Sequence, residues 1–345
     1  MMPSLRIAVV GASGYSGEEL VRLIARHPKL ELTTLTSRAY DGKKAGQVIS
    51  GLPSQAAAIA FQNLPPAEVA AGIDVAILAL PHGVASEYAL PLRKAGKTVI
   101  DLSADFRVKD AAVYEEFYHQ AHPAPQLLAD AVYALPELHR EAIKKSDLIA
   151  VPGCYPTSIL LALAPALKEK LIEPKSIVIN SLSGISGAGK KAEIGLLYVE
   201  LNENMRAYGV PRHRHLSEIE QEIGLLAGEK NPVTFVPHLV PLSRGMETTI
   251  SATLAKKTSA SELQKIYESF YAKEPFVAVK SGEELPEVKH VVRTNKAEIA
   301  ARIDERTSRA LFFSCIDNLG KGAAGQAIQA LNVRFGFEET LGLSV

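Results

Sequence analysis

With 345 residues, the chain is long enough for two domains with separate cores. Lys plus Arg equals Asp plus Glu at 38 each, so no global field selects nucleic acid, an anionic membrane or an acidic partner, and any charged ligand must be recognised locally. Two cysteines without metal-ligand spacing argue against a disulfide framework and a metal centre. The absence of a signal-peptide pattern, and of any apolar run near the ~18 residues that span a bilayer, leaves the reducing cytoplasm as the expected compartment.

Leu5 to Val10 reads as a short buried strand, followed by Gly11-Ala12-Ser13-Gly14-Tyr15-Ser16-Gly17 and a helical stretch from Glu18 to Arg26. In a strand, turn, helix setting these glycines permit a tight turn, close approach of backbone to a pyrophosphate and close helix packing. Gly11, Ser13, Gly14, Tyr15, Ser16 and Gly17 are therefore the expected dinucleotide cradle. The second strand, Glu31 to Thr36, ends in Ser37-Arg38, where an NAD site usually presents a carboxylate to the ribose 2′-hydroxyl. A hydroxyl and a guanidinium suit a 2′-phosphate, so NADP is expected in preference to NAD. Lys43 and Lys44 read as a solvated loop.

Strands at Asp74 to Leu80, Thr98 to Leu102 and Asp147 to Val151 alternate with helices such as Gly83 to Ala95, which predicts a doubly wound parallel sheet. Ligands gather at the carboxyl ends of such strands. Three segments fall there: Leu80-Pro81-His82-Gly83, Asp101-Leu102-Ser103-Ala104-Asp105-Phe106-Arg107 and Pro152-Gly153-Cys154. Cofactor and thiol are thus expected on one edge. Arg107 is available there for an anionic substrate group or for an ion pair with Asp105 or another carboxylate; His82 is a loop residue beside the cofactor.

Cys154 stands in a sharp turn, with a helix expected to begin near Pro156, whose fixed φ suits a first helical position. Unsatisfied N–H groups just beyond it favour a thiolate and can hold a neighbouring oxyanion, which points to a nucleophile. The alternative is a small buried hydrophobe.

Past that helix, strands at Ser176 to Leu182, Val233 to Val240 and Thr248 to Leu254, with helices near Leu216 to Ala227 and Ala260 to Ala272, predict a second α+β domain with a mixed, largely antiparallel sheet. The loop Ser183 to Lys190 lacks the spacing of a P-loop and is expected to be a flexible substrate loop or a plain connection. Pro211-Arg212-His213-Arg214-His215 offers two imidazoles and two guanidiniums for acid/base work and anion binding. In an extended segment both histidines share a face; in a helix they diverge and only one meets Cys154. His215 is the expected acid/base, with Glu218 as a partner for its ring or for the substrate. Leu311 to Ile316 is a further strand, with Cys315 in the core. Asp317 to Gly325 then leads into a helix through Val333 that returns to the nucleotide domain and brings Asn318 near the nicotinamide. The expected domains are 1–152 with 320–345, and 153–319.

The glycine turn, Asp101 to Arg107, Pro152-Gly153-Cys154-Tyr155-Pro156-Thr157, His213-Arg214-His215 and Asp317-Asn318-Leu319-Gly320-Lys321-Gly322, in this order, closely resemble the N-acetyl-γ-glutamyl-phosphate reductases of the semialdehyde dehydrogenase superfamily, over essentially the whole chain. Ser158, where the family usually has Gly or Ala, is the one departure near the cysteine. The resemblance implies NADPH-dependent reduction of an acyl phosphate to a semialdehyde in arginine biosynthesis, through a Cys154 thioester with His215 as ion-pair partner and proton donor. It also implies substrate contacts from Arg107, Arg212 or Arg214, His213 and Glu218, and a homo-oligomer, dimer or tetramer.

Aspartate-semialdehyde dehydrogenases share the architecture and an Asn-Leu-x-Lys-Gly segment, but their cysteine turn differs. Other readings are a reductase of carrier-protein-bound aminoadipyl phosphate, in lysine biosynthesis, and a non-catalytic NADP-sensing protein; a cysteine hydrolase would leave the nucleotide fold idle.

Overall fold

The computed structural model describes residues 4–190 and 192–345. The chain forms two compact units, one ending at Pro152 and completed by Ala323–Ser344, the other running from Gly153 to Gly322.

The first unit holds seven parallel strands, β1 (Leu5–Val10), β2 (Leu30–Thr36), β3 (Phe61–Gln62), β4 (Val75–Leu78), β5 (Thr98–Asp101), β6 (Val132–Tyr133) and β7 (Leu148–Ala150), in the order β3-β2-β1-β4-β5-β7-β6. Its period-two pattern explains the two layers around it: Ile7, Val9, Val75 and Ile77 join one buried cluster, while Ala8, Val10, Ala76 and Leu78 join another on the opposite face. The order reverses between β1 and β4, so the turn after β1 and the loop after β4 flank the switch point of the sheet. The terminal helix Gly325–Phe335 packs on the first face through Ala327, Ile328 and Leu331.

The second unit contains a mixed sheet of β8 (Val178–Ser183), β9 (Arg206–Ala207), β10 (Thr234–Leu239), β11 (Met246–Thr253), β12 (Val277–Val279), β13 (Ala297–Asp304) and β14 (Arg309–Ile316), ordered β12-β13-β14-β11-β8-β10-β9. β8 with β10 and β12 with β13 are parallel; the other neighbours are antiparallel. Along β11 buried and half-buried residues alternate, the buried row Met246, Thr248, Ile250 and Ala252 being the core face of the strand.

The helix Cys154–Lys168 is buried from Tyr155 through Leu167, the mark of a central rather than a surface helix. Pro165 cannot donate to the carbonyl of Leu161, and the hydroxyl of Tyr271 fills that place at 2.5 Å, while Tyr267 donates to Ala162 at 2.6 Å. Ser158 is also accounted for: its hydroxyl donates to Thr248 at 2.6 Å, and Thr248 meets Ser181 at 2.8 Å, a chain of fully buried hydroxyls from the helix to the sheet.

Several expectations change in detail. The cysteine helix begins at Cys154 itself, with Gly153 as N-cap, rather than near Pro156. The helix after the glycine turn starts at Tyr15 and stops at Ile24, because Pro28 and the strand from Leu30 follow closely. The last helix is preceded by a π-helical turn, Gly320–Ala324.

Candidate active site

In the second unit, Cys154 is the first residue of its helix and is half-buried. Gly153, with φ −67° and ψ 159°, gives the N-terminus no side-chain cap, so the positive end of the helix is left for the thiol and for what reacts with it. The glycine is demanded by space rather than by its backbone. A Cβ there would lie 2.8 Å from Cε1 and Nε2 of His215 and 2.9 Å from Oε1 of Glu218. Imidazole and carboxylate therefore both pack against the residue preceding the cysteine.

Glu218 lies in the first turn of the helix Leu216–Ala227, and His215 occupies the N-cap. The Gly153 N–H donates to Oε2 of Glu218 at 3.1 Å, and Oε1 of the same fully buried carboxylate is 3.8 Å from Nε2 of His215. The 211–215 segment is neither an extended strand nor part of the helix, and the two histidine rings meet edge to face at 4.8 Å. Their roles in the structure differ. His213 accepts the His215 N–H on Nδ1 at 3.1 Å, which places the proton of the neutral ring on Nε2. Tyr155, Tyr208 and Phe235 surround that ring at 5.5, 5.5 and 5.6 Å, and burial, with the charge of Arg214, pushes its pKa down to about 4. Arg212 and Arg214 are exposed.

Tyr155 and Tyr208 were not singled out in the sequence; the Tyr208 hydroxyl donates to that of Tyr155 at 2.8 Å, tying the loop before His213 to the cysteine helix. Asn318 accepts from the Gly245 N–H at 2.8 Å and donates to Ser186 at 2.9 Å, so its side chain clamps two loops of its own unit. Arg244 and Asp317, also missed, form an ion pair at 2.9 Å. Only the arginine after Leu242-Ser243 and the acid before Asn318 could have suggested it.

The first unit carries the cradle candidates. Gly11 has φ +83°, and a Cβ on it would meet the Ala79 carbonyl oxygen at 2.4 Å; one on Gly17 would meet that of Gly11 at 2.4 Å. Gly14 faces open space, its nearest neighbour 3.8 Å away, at an N-cap without a side-chain bond. Ser13 and Ser37 share a hydrogen bond of 2.9 Å, Tyr15 and Arg38 are exposed, and Ser16 is half-buried. Arg107 is buried, its Nε donating to the Val151 carbonyl at 2.7 Å and one Nη to that of Leu102 at 2.8 Å. Asp105 accepts from the N–H groups of Gly83 and Ser86 and from the hydroxyls of Ser86 and Tyr114, which fixes the loop after β4 to the loop after β5. Asp101 accepts from Ser103, and burial, then the neighbouring Asp105 charge, push it up to about 7. Among the described residues, no helix is long and apolar enough to cross a membrane.

Comparison with known proteins agrees with these features. Residues 6–146 match the semialdehyde dehydrogenase NAD binding domain and residues 154–318 the semialdehyde dehydrogenase dimerisation domain. The chain is 47% identical over 341 residues to the N-acetyl-gamma-glutamyl-phosphate reductase of Moorella thermoacetica, covering 99% of this chain and 98% of the relative. With that of Pelobacter propionicus it shares 48% over 341 residues, at the same coverage. Among solved structures, an aspartate semialdehyde dehydrogenase II from Vibrio cholerae shares the fold with TM-score 0.73 at 18% identity, covering 96% of this chain and 98% of its own. An aspartate semialdehyde dehydrogenase with NADP from Candida albicans gives 0.72 at 17%, with the same coverage.

Proposed function

The chain belongs to the N-acetyl-γ-glutamyl-phosphate reductase family of semialdehyde dehydrogenases, and on that premise we propose that it reduces N-acetyl-γ-glutamyl phosphate to N-acetylglutamate 5-semialdehyde and phosphate through a thioester on Cys154. The observation that carries the mechanism is the placement of Cys154 at an uncapped helix N-terminus, with His215 and Glu218 packed against Gly153.

The Cys154 thiolate attacks the acyl carbon; the carbon–sulfur bond forms, the bond to the phosphoryl oxygen breaks and inorganic phosphate leaves. The helix N-terminus is the candidate site for the oxyanion that develops at the carbonyl. His215, 3.8 Å from Glu218, holds the thiolate as an ion pair and donates a proton to the oxygen of the thiohemiacetal formed when hydride adds to the thioester carbon. As the carbon–sulfur bond breaks and the aldehyde forms, that proton returns to the imidazole. Arg107 is the candidate for the phosphoryl group, and Arg212 or Arg214 for a carboxylate; His213 lines the imidazole side of the site.

NADPH fits the first unit. Gly11 and Gly17 have room for no side chain, Gly14 opens onto an uncapped helix N-terminus where a pyrophosphate fits, and Arg38 with Ser37 suits a 2′-phosphate. When bound, this cofactor supplies the hydride. Ser13, Tyr15 and Ser16 belong to the same cradle, and Asn318 is the candidate for the nicotinamide end. The match to a dimerisation domain supports a homo-oligomer, dimer or tetramer. On one face of β11 a row of half-buried residues, Glu247, Thr249, Ser251 and Thr253, is available to it. A cytoplasmic location accords with the two free thiols.

The test runs the reaction backwards, with purified protein, N-acetylglutamate 5-semialdehyde and NADP⁺. Phosphate-dependent formation of NADPH is expected; folded, NADP-binding protein without that activity would refute the substrate assignment.

A further inference from the structure

The π-helical turn Gly320–Ala324 has a closer relation to the nucleophile than any assigned role explains. A Cβ built on Gly322 would lie 2.8 Å from Cβ and 3.2 Å from Cα of Cys154. Real Cβ atoms do not approach that closely, so the backbone of Gly322 is in direct contact with the cysteine. Its φ lies outside the left-handed region, and glycine is needed here for space alone.

Neither side of the contact is free to yield. The Gly322 N–H donates to the carbonyl of Asp317 at 2.9 Å. The Asp317 carboxylate, itself fully buried, accepts from Arg244, from the Arg293 N–H and from the N–H groups of Leu319 and Gly320. Lys321 is fully buried, with its ammonium 5.7 Å from the centre of the Phe276 ring. On the other side, Cys154 opens a helix packed on every face. A short, anchored π-turn and a rigid helix thus meet at one glycine.

We propose that Gly322 is a positioning residue for the reaction: its backbone packs against Cα and Cβ of Cys154, holds that first helical residue in place and so sets where the sulfur stands. It touches neither substrate nor cofactor in this role and acts through the cysteine. The inference rests on the reading of Cys154 as nucleophile, but not on the identity of the acyl phosphate.

Gly322→Ala tests it, with Gly46→Ala as companion, since a Cβ on Gly46 meets the Cβ of Ala57 at 2.8 Å and not the cysteine or its turn. Two readouts are taken on folded protein: the rate of Cys154 alkylation by iodoacetamide across pH, and kcat with KM. In Gly322→Ala, kcat falls about 100-fold with KM little changed, as expected for a misplaced reacting atom, and the alkylation profile changes. In Gly46→Ala, whatever its stability, the folded fraction keeps the wild-type profile. Wild-type alkylation and kcat in folded Gly322→Ala would overturn the proposal, whereas an inert Cys154 in the wild type would overturn the nucleophile assignment instead. If Gly322→Ala does not fold, Cys154→Gly/Gly322→Ala removes the opposing Cβ. Recovery of folding supports the contact, and failure equal to that of the single variant refutes it.

Discussion

The main-chain N–H of Gly153 donates to the Glu218 carboxylate at 3.1 Å, so the N-cap residue of the cysteine helix is held by a side chain from another helix 65 positions away. The second oxygen of the same carboxylate faces His215. One buried anion thereby positions the nucleophile's helix and balances the charge of the proposed acid.

Glu218→Gln separates these two duties, because the amide still accepts the Gly153 N–H but carries no charge. It is expected to lower kcat by about 100-fold, within the range of lost acid/base assistance, while the midpoint of urea unfolding changes little. Glu218→Ala leaves a buried N–H without its partner and is expected to cost a further 1–3 kcal/mol or so of stability. Wild-type kcat in Glu218→Gln would show that the charge is irrelevant.

His213 and His215 separate by pH. With its pKa at about 4, His213 is neutral throughout the physiological range, so it cannot set the pH profile of activity near neutrality. His213→Asn, which retains an acceptor for the His215 N–H, should leave a titrating limb in that profile, whereas His215→Asn should abolish turnover. Stability follows the same group. Between about pH 6.5 and 4 the unfolded chain binds a proton at His213 that the folded chain refuses, so stability falls as pH falls through that window. His213→Asn should flatten this part of a plot of melting temperature against pH.

Asp101 has the opposite sign. Its carboxyl is protonated in the fold up to about pH 7 but titrates near 3.8 when unfolded, so its contribution is intact below pH 4 and is lost as pH rises toward 7. Asp101→Asn preserves an acceptor for the Ser103 N–H and has no charge to bury. The variant should melt several degrees higher than wild type at pH 8 and nearly level with it at pH 4. A variant less stable at pH 8 would contradict the assignment.

Arg38→Ala should raise KM for NADPH by about tenfold or more, the scale of a lost charge-assisted contact, and leave NADH kinetics nearly unchanged. Equal losses with both nucleotides would remove the 2′-phosphate from the Arg38 assignment.

The parallel sheet was legible because its strands are short apolar runs separated by helical stretches, and the glycine turn because Gly11, Gly14 and Gly17 follow β1 directly. The turn before the helix was legible at Pro152-Gly153, yet the place of Cys154 inside the helix was not. The pattern Cys154-Tyr155-Pro156 suggests a start at the proline, but that residue is tolerated anywhere in the first turn. The contacts of Gly153 and Gly322 were invisible for a different reason. Each glycine is required by side chains or backbone distant in sequence, at His215 and Glu218 in one case and Cys154 in the other. Arg107, which the sequence left between a substrate group and an ion pair, donates to two main-chain carbonyls, acceptors that carry no residue signature.

The central claim is the acyl-enzyme on Cys154, and intact-protein mass measurement after mixing with N-acetyl-γ-glutamyl phosphate in the absence of nucleotide tests it most directly. A single N-acetylglutamyl adduct is expected, formed with one equivalent of released phosphate, removed by hydroxylamine and missing in Cys154→Ser. Phosphate release that strictly requires NADPH, with no adduct at any time in folded, active protein, would contradict the account.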